Sequence, residues 1–294
     1  MKNLAATLTL ACATAGLLAG CDVEPGSALE YDTVARINLG AMKASPWGKE
    51  MLGSSTIDVD IDGSDACADL VNAAEIVTVG TGQGRVEVYV QGSIDADAAD
   101  ECLAVIEKDL ADDPVEKGEK PKAIRGESVG KKTFAFVIGP EPLPAPSKAR
   151  LKDLTDADPS PHGEPMWFVA RPAGKSDIQY AEAWMSPKKG LDGHLSVEFA
   201  DEAKAAKIGA EATMALTMLK MSDEAGDLAK GIDLDLSGAT MSADIHASTK
   251  TMKAVLKNSG KPHEKPSPEK LEAMRKRAKK DGHSISFSLG TSEK

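Results

Sequence analysis

The stretch that decides the fold is Glu75–Gln91, which reads EIVTVGTGQGRVEVYVQ. Two runs rich in Val, Glu75–Val79 and Arg85–Gln91, are joined by five residues of which three are glycines. β-Branched residues on both sides of a glycine-rich turn predict a β-hairpin. A helix is predicted to follow from about Asp95 to Leu110, so the first unit is strand–strand–helix. No cofactor is predicted, because a dinucleotide site needs its glycines between a strand and a helix.

The same order of elements is predicted twice more along the chain, with a turn inside each strand pair and a helix after it. Strands followed by helices at this spacing favour an antiparallel sheet. We therefore predict the α+β class, with a sheet or sheets made from repeated ββα units and the helices packed on one face. The predicted elements of the two later units are Ile178–Met185, His194–Phe199, Asp201–Met221, Ile232–Leu236, Thr240–His246 and Ser248–Asn258.

Proline marks the boundary between two predicted halves. Gly139–Pro165 contains seven prolines around a short helical piece, which is typical of a connection between domains. We expect a first α+β half over 31–155 and a second over 156–260. Asp112–Lys132 is charged and nearly free of large apolar residues, so it is predicted to be a loop.

The amino terminus has the pattern of an export signal. Lys2 precedes an apolar run from Leu4 to Leu17, which has the length of a signal-peptide core and is too short to span a membrane. Leu18-Ala19-Gly20-Cys21 then resembles the lipobox of bacterial lipoproteins. The resemblance implies cleavage after residue 20 and lipid on Cys21, with 21–30 as a tether. It also implies anchoring to a membrane of the cell envelope, and whether this is the inner or the outer membrane stays open.

Charge is distributed unevenly in a chain whose net formal charge is −11. Residues 22–260 contain 25 Lys/Arg against 41 Asp/Glu, whereas 261–294 contain nine against five. An acidic body repels phosphates, so no nucleic-acid partner is expected. The basic carboxy-terminal segment 261–294 is predicted to form a helix and a short final strand.

Cysteine use predicts one disulfide. Cys67 and Cys102 are the pair left after Cys12 is removed with the signal and Cys21 is lipidated. In an exported protein an even pair favours a disulfide, and the alternative is two buried free thiols. Neither cysteine has a second ligand at the spacing of a zinc site.

A calcium loop is a weaker possibility at Asp58, Asp60 and Asp62, which are followed by Gly63. The D-x-D-x-D-G spacing places oxygen ligands at alternate positions. The position of the bidentate Glu is taken by Asp69, and no helix is predicted to precede the loop. Ile232–Leu236 has the same alternation without a loop, which favours a strand with one wet face at both places.

A serine motif, Gly126–Gly130, matches G-x-S-x-G with Ser128 at its centre. In α/β-hydrolases this serine lies on a turn between a strand and a helix. Here the predicted order is reversed, because a strand follows the motif. A hydrolase is therefore the weakest functional alternative.

We expect a non-catalytic binding or structural module with a possible protein partner. The mature part is similar in pattern to envelope lipoproteins built from strand–strand–helix units, a resemblance that implies no activity. The main alternative is a carrier of a hydrophobic, lipid-like ligand, which would use flexible methionines as its lining. The candidates for that lining are Met185, Met214, Met218, Met221 and Met241.

Overall fold

A computed structural model describes residues 31–48, 65–112, 122–160, 163–172, 176–222 and 226–259. Its strands are β1 Thr33–Asn38, β2 Ala74–Gly82, β3 Arg85–Gly92, β4 Lys122–Gly130, β5 Thr133–Pro140, β6 Met166–Ala170, β7 Ile178–Ser186, β8 Gly190–Phe199, β9 Ile232–Ser237 and β10 Thr240–Ser248. Its helices are α1 Leu39–Ala44, α2 Asp65–Ala73, α3 Ala96–Asp112, α4 Lys148–Thr155, α5 Glu202–Lys220, α6 Gly226–Ala229 and α7 Thr249–Ser259.

The described strands form one ten-stranded sheet in the order β4-β5-β3-β2-β1-β6-β7-β8-β10-β9. Every neighbouring pair is antiparallel. The prediction of an α+β chain with an antiparallel sheet is confirmed. The two predicted halves share this sheet, because β1 pairs with β6 from Thr33↔Ala170 to Ile37↔Met166.

The β2–β3 hairpin is tighter than the sequence indicates. Both strands extend into the predicted five-residue turn and pair as far as Gly82↔Arg85. Gln83 and Gly84 then make the turn with φ angles of 53° and 71°. Two successive residues with positive φ match the right-handed twist of the flanking strands, and glycine adopts this conformation without a steric cost.

The front face of the sheet is the side on which α2, α3 and α5 pack. In the first half the apolar side chains of β2, β3 and β5 meet α2 and α3, with Val79, Val88 and Phe134 in the shared core. In the second half Ala205 of α5 packs against Val197 and Phe199. Asp201 caps α5, because its side chain accepts a hydrogen bond from the amide of Lys204.

The opposite side, the back face, has its own core in the first half. Leu154 of α4 packs there with Tyr89 and Trp167. Our expectation that the helices lie on one face is therefore wrong for α4. The sequence pattern of α4 does not identify the side of the sheet on which the connection from β5 returns.

One local prediction is also wrong. Asp112–Lys132 contains β4, which pairs with β5 at the sheet edge. An edge strand needs apolar side chains on one side only, so its charged sequence resembles that of a loop. The chain after β1 forms the short helix α1, which ends at Ala44, and Ser45 is extended with ψ at 153°. The residue before a proline avoids the helical region, and Pro46 follows Ser45.

Candidate functional site

A row of paired residues crosses the back face from one sheet edge to the other. Adjacent strands contribute directly opposed residues, so the side chains lie on the same face. The row begins on the α4 side of the first half and ends on strands β10 and β9 of the second half. Its members are Glu127, Ala135, Tyr89, Thr78, Arg36, Trp167, Trp184, His194, Asp244 and Asp233.

The back face of the second half is acidic, and we call it the acidic face. Strands β7 to β10 place six carboxylates there, together with two histidines and two aromatic rings. The carboxylate side chains of Asp192 and Asp244 are 55% and 58% exposed, so this surface meets solvent. The acidic face consists of Tyr180, Glu182, Trp184, Asp192, His194, Ser196, Glu198, Asp233, Asp235, Ser242, Asp244 and His246.

Two cross-strand His–Asp pairs organise the centre of the acidic face. The Nδ1 of His194 lies 2.7 Å from Oδ1 of Asp244, and the Nδ1 of His246 lies 3.1 Å from Oδ1 of Asp192. The two pairs are neighbours on β8 and β10, with the order of residues reversed. Each imidazole is therefore oriented by a carboxylate of the other strand.

Aromatic side chains extend the acidic face towards β7. The ring of Trp184 stacks on His194 with the centroids 6.1 Å apart. The hydroxyl of Tyr180 donates to Oε2 of Glu182 at 2.5 Å, and the guanidinium of Arg171 lies 5.2 Å from the Tyr180 ring centroid. Burial, and then the hydrogen bond to Glu182, raise the pKa of Tyr180 to about 12. Arg171 shows that this part of the face already accepts a guanidinium over an aromatic ring.

The first half differs, because α4 covers the corresponding back face. Glu87 of β3 is only 2% exposed and accepts hydrogen bonds from Tyr31, Tyr89 and Arg150. A carboxylate of this half is thus neutralised inside the protein. Those of the acidic face have no such cover from α5, whose packing is on the front face.

The predicted disulfide is present and joins α2 to α3. The sulfurs of Cys67 and Cys102 are 2.03 Å apart, and their Cα atoms are 4.7 Å apart. Cys21 and the calcium candidates Asp58, Asp60 and Asp62 lie outside the described residues. Within the described ranges no group of three or more His, Cys, Asp or Glu side chains is arranged to hold a metal ion.

The structure separates the other candidate residues from any common site. Ser128 lies within edge strand β4, not at a strand–helix turn. Met214 on α5 is 40% exposed and Met185 on β7 is 37% exposed, so both face solvent. Met241 packs in the core under α5. Among the described helices none is both long enough and apolar enough to cross a bilayer.

The acidic face was not predicted as a site from the sequence, although one signal was available. Alternating aspartates were seen in Ile232–Leu236 and interpreted as a strand with a wet face, which β9 is. The same period-two pattern puts Glu182 and Trp184 on one side of β7, and Asp192 and His194 on one side of β8. What could not be predicted is that all these sides belong to one surface.

Comparison with known proteins assigns no family. No protein-family model matches the chain, and no curated protein matches it in sequence. The solved structure of TP0453 in crystal form I is similar with a TM-score of 0.42 and 12% sequence identity, over 81% of this chain and 98% of that chain. A similarity this weak assigns neither a function nor a family.

Proposed function

We propose that this chain is a non-catalytic binding module of the cell envelope, anchored by lipid on Cys21, whose acidic face binds a Lys/Arg-rich segment of a partner protein. The observation that carries the proposal is the back face of the second half, on which none of the described helices packs. Six carboxylates lie there on adjacent strands, whereas α4 covers the same face of the first half.

Charge complementarity favours a cationic partner. The strands β7 to β10 contribute no Lys or Arg to this face, and Arg171 lies at its margin. A surface of one sign attracts the opposite charge from a distance and excludes partners of like charge. Lysine and arginine side chains can also stack on Trp184 and Tyr180, which adds geometric selectivity to the attraction.

The two halves of the sheet repeat the same order of strands, so the helices on their back faces can be compared directly. We infer that each half is built from a lone strand followed by two ββα units. The first half has the strand order β1-β2-β3-β5-β4 and the second has β6-β7-β8-β10-β9, with a helix after the third strand in both. The helix after the fifth strand differs: α4 packs on the back face, whereas Met252 of α7 packs with Trp47 and Ala247. Among the described helices, α4 therefore covers the back face of the first half, and none covers that of the second.

The lipid anchor on Cys21 would hold the chain at a membrane, and the chain would bind its partner there. The tether 21–30 has ten residues and reaches at most about 35 Å when extended. The binding face would therefore stay close to the membrane that holds the lipid. Intact mass spectrometry of the protein from its native membrane tests the anchor: a triacylated chain that begins at Cys21 supports it, and an unprocessed or unlipidated chain overturns it.

Peptide titration tests the binding face. The probes are a synthetic peptide of alternating lysine and alanine and a matched peptide of glutamate and alanine, both followed by isothermal titration calorimetry at low salt. The face variant carries Glu182→Gln, Asp192→Asn, Glu198→Gln and Asp244→Asn. The control variant removes the same charge from exposed positions of α3, through Asp97→Asn, Asp100→Asn, Glu101→Gln and Glu107→Gln.

We expect the lysine peptide to bind the native chain and the glutamate peptide not to bind. The affinity should fall at least tenfold in the face variant and stay within twofold in the control variant. It should also fall as salt is added, because exposed charges are screened. Equal losses in both variants, or no binding of the lysine peptide, would overturn the proposed function.

A further inference from the structure

A cleft lies between α4 and the back face of the central strands, and Trp167, which lines it, is the cross-strand neighbour of Trp184 on the acidic face. The cleft has a volume of about 550 Å³ and opens to solvent. Pockets of this size hold small molecules. The charged and amide side chains that line it are Arg36, Asn38, Gln91, Lys148, Lys152, Asp158 and Glu164.

Among the described residues, Arg36 forms no salt bridge and no acceptor is hydrogen-bonded to its guanidinium. Burial lowers the pKa of Arg36, and the charge of Asp158 opposes this effect. Oδ1 of Asp158 accepts from the amide and the hydroxyl of Ser160 at 2.8 and 2.6 Å. An anionic group in the cleft would accept charge-assisted hydrogen bonds from the Arg36 guanidinium.

Two acceptors in the same cleft have no donor. Oε1 of Gln91 and Oε2 of Glu164 are buried and have no hydrogen-bond partner among the described residues. Buried polar atoms in native proteins are normally paired, so each needs explanation. A ligand that brings hydrogen-bond donors would satisfy both.

The separation of these groups sets the size of the ligand. Gln91 is on β3 and Glu164 directly precedes Pro165 and β6, and the strands between them are β2 and β1. Three strand spacings correspond to roughly 14 Å between the backbones. Side chains shorten this distance, and the two acceptors reach the cleft from opposite sides of β1, which carries Arg36. A ring with several hydroxyl or amino groups around one anionic group offers donors in different directions.

We propose that the cleft binds an anionic sugar derivative, whose phosphate or carboxylate pairs with Arg36 and whose hydroxyl or ammonium groups donate to Gln91 and Glu164. Lys148 at the rim adds positive charge on the α4 side, whereas Lys152 is paired with Asp156. The ligand differs in sign from the partner of the acidic face, so the two proposals can fail independently.

Calorimetric titration of the full chain with three probes tests this site. D-Glucosamine 6-phosphate carries both the anion and the donors, D-glucosamine carries only the donors, and methyl phosphate carries only the anion. The variants are Arg36→Gln and Glu164→Gln. The control is Arg125→Gln on β4, whose guanidinium is exposed and pairs with Glu127. Circular dichroism establishes that each variant is folded.

We expect the amino sugar phosphate to bind at least tenfold more tightly than either partial probe. Arg36→Gln should weaken its binding at least tenfold, Glu164→Gln should weaken it severalfold, and Arg125→Gln should leave it within twofold. The proposal is wrong if none of the probes binds, if methyl phosphate binds as tightly as the complete probe, or if Arg36→Gln and Arg125→Gln behave alike.

Discussion

Arg150 of α4 and Glu87 of β3 form a buried ion pair that fastens the helix to the back face of the sheet. Nε of Arg150 lies 3.0 Å from one carboxylate oxygen of Glu87 and 3.1 Å from the other, and a terminal guanidinium nitrogen also binds the carboxylate. The guanidinium lies 5.8 Å from the ring centroid of Tyr31. The carboxylate therefore has charge compensation and hydrogen bonds on several sides, which a buried charge requires.

Removing the arginine of this pair should destabilise the protein strongly. Arg150→Met leaves the Glu87 carboxylate buried without its cation, and we expect a loss of about 3 kcal/mol in the free energy of unfolding, measured with urea. The double variant Arg150→Met/Glu87→Gln should lose less, because the buried charge is gone. Arg125→Met at an exposed pair is the control and should change stability by less than about 0.5 kcal/mol. Equal losses for Arg150→Met and Arg125→Met would contradict the role of the buried pair.

Tyr89 should make the protein less stable above pH 10. Burial raises the pKa of Tyr89 to about 12 from its ordinary value of 10.0. Below pH 10 the hydroxyl is protonated in both states, and this contribution to stability is fully present. Between pH 10 and 12 the unfolded chain loses the proton while the folded chain keeps it, so unfolding becomes easier.

The variant Tyr89→Phe isolates this effect, since the other tyrosines remain in both proteins. It also loses the hydrogen bond that the amide of Ser147 donates to the Tyr89 hydroxyl, so it is less stable at neutral pH. From pH 9 to 12 the native chain should lose on the order of 2 kcal/mol more than the variant. Parallel pH profiles of the two unfolding free energies would contradict the expected shift.

The disulfide should account for a sizeable part of the stability of the first half. Cys67 and Cys102 are separated by 35 residues, and their bond closes that loop in the unfolded chain. The double variant Cys67→Ala/Cys102→Ala should be about 2–4 kcal/mol less stable in urea. Native protein treated with dithiothreitol should show a comparable loss, and a reductant should leave the double variant unchanged. A native chain that is as stable reduced as oxidised would rule out this contribution.

Gly190, at the start of β8, should not tolerate a side chain. Its φ is +139°, and an added Cβ would lie 2.0 Å from the carbonyl oxygen of Ala247. Gly190→Ala should therefore cost about 3 kcal/mol through overpacking and backbone strain together. Gly163→Ala is the control, because Gly163 has φ +63° with no atom near the added Cβ. It should cost about 1 kcal/mol from strain alone, so similar thermal midpoints for the two variants would contradict the proposed clash.

Elements with strong local signals were predicted well. The strands β2, β3, β7, β8, β9 and β10 follow runs of apolar or alternating residues, and α5 begins at its acidic cap. These patterns depend on residues within a few positions of one another. Edge strand β4 was missed because it is charged on its exposed side and flanked by lysines.

The two candidate sites could not be predicted from the sequence as the individual strands and helices could. The acidic face depends on side chains from four strands, and the pairing of β8 with β10 skips β9 in the chain order. The cleft needs Arg36, Gln91 and Glu164, which are far apart in sequence and carry no motif. A single sequence without tertiary contacts does not reveal which polar residues converge.

The sequence by itself determined the local elements of this protein: where strands alternate, where glycine turns occur, where capping residues start helices, and which two cysteines pair. Only the tertiary structure decided what those elements do together. Glu87 and Asp244 both lie on the polar side of an alternating strand, yet Glu87 is buried under α4 and Asp244 is exposed. Period-two alternation determines on which face of the sheet a side chain lies, but not whether that face is buried. Burial of Glu87 depends on how α4 folds back onto the sheet. This helix follows β3 in the chain by more than 50 residues.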